Sequence, residues 1–135
     1  MSNVPQEANR NVITIEEMTM IRDYILLPHM ESMVKKSLND IEYSTNVLKR
    51  LYLMAGQKVL DQIVNDSRKL KRELKQRNIR ILEIKYEDFV INHHYFCRGY
   101  NDVFGITRDA MKSEISLRLS QYISDLAKYL KTHTT

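Results

Sequence analysis

Apolar residues recur along most of this chain at the three- and four-residue intervals that place them on one face of a helix. The first such run opens at Thr14-Ile15-Glu16-Glu17, a capping box in which hydroxyl and carboxylate each satisfy the other residue's backbone N–H. Ile15, Met18, Ile21 and Ile25 mark one face. Pro28 lacks a backbone donor and crowds the preceding turn, so the pattern predicts one helix over 14–27 and a second over 28–43. Met30, Met33, Val34, Leu38 and Ile41 keep helical spacing in the second. A third helix is predicted over 46–77, where Val47, Leu51, Ala55, Val59 and Ile63 form an i+4 stripe. In the same stretch Leu60, Ile63, Ser67, Leu70 and Leu74 follow the 3-4-3-4 spacing of a coiled-coil seam. Ser44-Thr45-Asn46 suits a helix cap, yet the pattern also fits one unbroken helix over 28–77, and both alternatives stand.

The period then changes. Leu82, Ile84 and Tyr86 alternate with Glu83, Lys85 and Glu87, which predicts a half-buried strand over 80–87. Residues 90–100 are rich in β-branched and aromatic side chains and predict its antiparallel partner. Gly99 suits a bulge or strand end, and Gly105 a loop hinge. A last helix is predicted over 107–131, with Met111, Ile115, Leu119, Tyr122, Ile123, Leu126 and Leu130 along one face. The expected fold is therefore α+β and predominantly α-helical, long amphipathic helices with one antiparallel β-hairpin. The expected organisation is a flexible tail over 1–13, a single helical domain over 14–131 with the hairpin inserted, and a frayed end over 132–135.

Composition removes several classes. The chain has 135 residues, 43% apolar and 28% charged, with three Gly and two Pro. Those fractions exclude collagen-like, Gly/Pro-rich and wholly disordered chains. The lone Cys97 excludes an internal disulfide framework. No apolar run approaches the roughly 20 residues of a membrane-spanning helix. The first twelve residues lack a signal-peptide layout, so the expected compartment is the cytosol and no membrane partner is expected. Abundant Ile, Asn and Lys with no Trp fit an AT-rich genome, such as that of a bacterium or a phage.

Charge is unevenly spread over a net +4. Residues 1–44 hold four basic against seven acidic side chains, residues 45–80 ten against three, and residues 81–135 seven of each. The densest run spans Arg68 to Arg80 and holds Arg68, Lys69, Lys71, Arg72, Lys75, Arg77 and Arg80 beside one acid, Glu73. Such a run attracts phosphate through counterion release. It also reads as a solvated helix end, where cations complement the negative end of the dipole.

Four constellations carry residue types suited to chemistry or binding. His93, His94 and Cys97 are metal-ligating types, but on a strand His93 and Cys97 lie about 13 Å apart and His94 points to the other face. Glu83 and Lys85 share a strand face, an arrangement used by metal-dependent nucleases of the PD-(D/E)xK type. The upstream Asp66 falls in a helical pattern, however, and an exposed ion pair explains the spacing better. Aromatic rings around Tyr95, with Arg98 and Tyr100, suit either base stacking or a small core. Met18, Met20, Met30 and Met33 suit either a protein-binding groove or adaptable core packing.

No phosphate loop, nucleophile elbow or His-Glu-x-x-His motif occurs, so no catalytic residue, metal or cofactor is expected. The leading expectation is a small non-enzymatic interaction or regulatory protein, homodimeric through its long helices. Its interaction surface would be Met18, Met20, Met30, Met33, Leu60, Ile63, Leu70 and Leu74. The alternative is a nucleic-acid-binding accessory protein using the basic run over 68–80 with Tyr95 and Arg98. A metal-dependent nuclease stands a distant third.

Overall fold

A computed structural model of the chain describes residues 12–133. Six elements follow in order: α1 (Ile15–Glu42), α2 (Lys49–Gln76), β1 (Ile79–Tyr86), β2 (Val90–Cys97), β3 (Tyr100–Thr107) and α3 (Arg108–His133). The protein is α+β and predominantly helical, as its periodicity predicts.

Helix α1 starts where the capping box places it. Thr14 Oγ accepts the Glu17 N–H and Glu17 Oε1 accepts the Thr14 N–H, both at 3.1 Å. The predicted break at Pro28 does not occur: α1 runs through it as one helix of 28 residues. Pro28 is exposed, so its ring takes no space from the core. Leu26, Leu27 and Met30 are buried on either side and hold both halves to one axis. The real break comes at 43–48, which resolves the choice over 28–77 in favour of two helices. There the Asn46 side chain accepts the Leu48 N–H at 2.7 Å, a turn bond that competes with helix continuation.

Helix α2 ends at Gln76 with Arg77 as its C-cap, and Asn78 takes φ 56°, the left-handed conformation that terminates helices. The three strands form one antiparallel sheet in the order β1-β2-β3. The hairpin of β1 and β2 stands as predicted, and a third strand joins it. The strand predicted over 90–100 stops at Cys97, because Arg98 and Gly99 form a two-residue turn with φ of 45° and 98°. Two successive positive φ values match the right-handed twist of the flanking strands, and a residue without Cβ suits the second position. Of the two readings of Gly99, the strand end holds and the bulge does not: it lies in the turn between β2 and β3. Gly105 is no hinge: it lies in β3 against Asn92, whose Oδ1 would stand 2.8 Å from an added Cβ.

On β2, Ile91, His93, Tyr95 and Cys97 are buried toward the helices, while Asn92, His94 and Phe96 lie on the outer face. A register irregularity between Ile81 and Glu83 shifts the alternation of β1 by one residue at Leu82. Helix α3 is capped by the Thr107 hydroxyl, which accepts the Ala110 N–H at 3.0 Å. It continues to His133, past the predicted end at 131. One apolar core joins the layers through Ile21, Met30 and Ile63 of α1 and α2, Ile79, Ile91, Tyr95 and Ile106 of the sheet, and Met111 and Ile115 of α3.

The tail predicted over 1–13 lies outside the described residues up to position 11. At its described end Ile13 packs against the core. Residues 134–135 of the predicted frayed end also lie outside.

Candidate nucleic-acid interface

Arg68, Lys71, Arg72 and Lys75 are spaced i, i+3, i+4 and i+7, which puts all four on one strip of α2. All are exposed, because the other side of the helix is committed to the core through Ile63, Leu70 and Leu74. The turn after Arg77 then brings Arg80 onto the outer face of β1. Its guanidinium sits 5.2 Å from the centre of the Phe96 ring, within cation–π range.

Between the end of α2 and β1 runs a groove of about 610 Å³ lined by Tyr24, Lys71, Leu74, Lys75, Asn78, Ile79, Arg80 and Ile81. Three of those residues are cations and none is an acid. Among the described residues, Arg68, Lys71, Arg72, Lys75 and Arg80 make no ion pair; the salt bridges involve Arg22, Lys35, Arg77, Lys85, Arg98 and Arg118 instead.

The remaining members of the sequence-selected basic set go elsewhere. Lys69 lies about 100° around the helix from Arg68. It lines a cleft of about 540 Å³ between the three helices, together with Glu16, Asp23, Asp66, Glu73 and Asp125. Arg77 bonds Glu73 at 3.0 Å and contacts Glu17 at 3.4 Å and Glu16 at 3.5 Å. Arg98 donates to Glu17 at 2.7 and 2.9 Å, and to the carbonyls of Arg77 and Val12 at 3.0 and 3.1 Å. Arg77 and Arg98 are therefore internal braces, with their charge already neutralised. The Arg98 hydrogen bonds hold the Glu17 carboxyl down at about 2, against burial, with help from the Thr14 N–H and Arg77. Tyr95 is only 3% exposed, facing the helices, so its ring cannot stack a base. Phe96, one position on, is the ring on the open face.

The apolar set divides in the same way. Met20, Met30, Leu60, Ile63 and Leu74 are buried and Leu70 is half-buried, so the seam read as a subunit contact packs within one chain. Met18 and Met33 stay exposed. Among the described residues no group of three or more His, Cys, Asp or Glu could hold a metal ion. His93 and Cys97 face the core, and burial pushes the His93 imidazole below its ordinary value. Glu83 and Lys85 pair at 3.7 Å on the outer sheet face, whereas Asp66 accepts the Tyr122 hydroxyl at 2.5 Å between the helices.

Two features had no signal along the chain: the Glu17–Arg98 brace and the acidic cleft. Both assemble from segments far apart in sequence, and only the Arg98-Gly99 pair hinted at a turn.

The fold is that of a predominantly helical α+β protein with an exposed basic strip on α2, and no described helix is long and apolar enough to cross a membrane. The chain belongs to the YhjD protein family, whose profile matches residues 12–127 and so takes in all three strands and most of all three helices. No curated protein and no solved structure matches it.

Proposed function

We propose that this is a non-enzymatic, cytosolic accessory or regulatory protein that binds nucleic acid through the strip of Arg68, Lys71, Arg72 and Lys75, continued by Arg80. The carrying observation is that these five cations are exposed together without acidic partners, beside a groove with no acid in its lining. Each cation that neutralises a phosphate releases condensed counterions, so binding by five contacts to duplex would fall with salt at a logarithmic slope of about −4.5. Tyr24 and the apolar floor of the groove give an unstacked base a surface to lie on, which favours single strands or flexible ends.

The test is fluorescence anisotropy of labelled duplex and single-stranded oligonucleotides at about 50 and 200 mM salt. Wild type should bind with steep salt dependence, and the triple variant Arg68→Glu, Arg72→Glu, Lys75→Glu should not bind while keeping its helical circular dichroism. Salt-independent binding, or binding unchanged in the triple variant, rejects this face. Self-association is the second reading, and a different surface favours it.

A further inference from the structure

Strand β1 is hydrogen-bonded to β2 along one side and, among the described residues, has no strand on the other. An edge of this length is a ready template for another strand. Its apolar side chains are also uncovered beyond the reach of the helices. Leu82 is 53% exposed, Ile84 45%, Tyr86 64%, and Phe89 in the following turn 80%. The opposite edge differs. On β3 the Asp102 carboxylate accepts the Val103 N–H at 2.8 Å, and the strand carries an acid with no base.

The charges of β1 are self-complementary. Glu83 and Lys85 lie on the outer face, 3.7 Å apart and each more than half exposed. If two copies of β1 run antiparallel about a two-fold axis at Ile84, Glu83 of each copy stands opposite Lys85 of the other. The same register sets Ile84 against Ile84 and Leu82 against Tyr86. Opposite charges and apolar pairs directly across strands both stabilise a ladder. We infer that two copies of this chain associate through their β1 edges over Leu82–Tyr86, joining two three-stranded sheets into a continuous one. The contact is isologous, so each interaction forms twice and the assembly closes at two subunits. The irregularity at Leu82 breaks the straight edge, which confines pairing to the second half of the strand.

The decisive experiment is sedimentation equilibrium on the full chain at micromolar concentrations, with circular dichroism checking the fold. Wild type should be dimeric. Glu83→Lys and Lys85→Glu should each be monomeric, because each sets like charges opposite one another. The double variant carrying both exchanges should be dimeric again, and an equimolar mixture of the two single variants should form a heterodimer. Recovery in the mixture separates lost pairing from lost folding. A monomeric wild type overturns the inference. So does a dimer that survives both single exchanges, or a failure of the double variant and the mixture to recover it.

Discussion

Arg98 reaches Glu17 with both terminal nitrogens, at 2.7 and 2.9 Å, across 81 positions of sequence. The carboxylate is 3% exposed and also closes the capping box of α1, so one side chain fastens a helix start, a helix end and a hairpin turn.

Replacing Arg98 with Ala should destabilise the protein by about 3 kcal/mol, because it leaves a buried carboxylate with only the Thr14 N–H and a longer contact to Arg77. Urea unfolding checks this. Removing both charges together, as Glu17→Gln with Arg98→Met, should cost less than the single change.

The same carboxylate predicts a pH dependence. Its folded value lies near 2, below an ordinary 4.5, so the native state binds its proton less readily than the unfolded chain. The stabilisation is fully present above about pH 4.5 and is lost as pH falls toward 2, at most about 3 kcal/mol over that window. Glu17→Gln should flatten this part of a plot of unfolding midpoint against pH.

Tyr122 should be the last tyrosine to ionise. Burial raises its phenol first, and the hydrogen bond to Asp66 adds to the shift. In an alkaline ultraviolet titration it should stay protonated until the protein unfolds. Tyr122→Phe should cost about 1 kcal/mol, since it strips the Asp66 carboxylate of that donor.

At the β2–β3 turn, Gly99→Ala should cost about 1 kcal/mol, since a side chain is strained at φ 98°. No atom lies within 4 Å of the added Cβ, so the loss is one of backbone conformation alone. Gly99→Asn should be milder, and both are measurable by urea unfolding.

Local chemistry made the helices and the hairpin legible. The capping box at Thr14 and the stripe of α2 are each decided within a few residues; the alternation of β1 marks a strand, but its predicted half-buried face is wrong, since Leu82, Ile84 and Tyr86 are all exposed. Pro28 misled because a local helix breaker can be overridden by tertiary packing, here of Leu26, Leu27 and Met30 on either side of it. Strand β3 was missed because Asn101, Asp102 and Gly105 are poor strand formers that β2 holds in register from outside. Within the basic run, composition marked the region but not its division. The exposed face keeps Arg68, Lys71, Arg72, Lys75 and Arg80, while Arg77 turns to acids supplied from a helix some sixty positions earlier.

The Glu17 brace also orders events during synthesis. The helical hairpin of α1 and α2 emerges from the ribosome before Arg98 does, so at that stage Glu17 meets Arg77 and not yet its principal partner. The clasp closes only after the turn at Arg98 and Gly99 has emerged. Until then the start of α1 is held by its capping box and by Arg77.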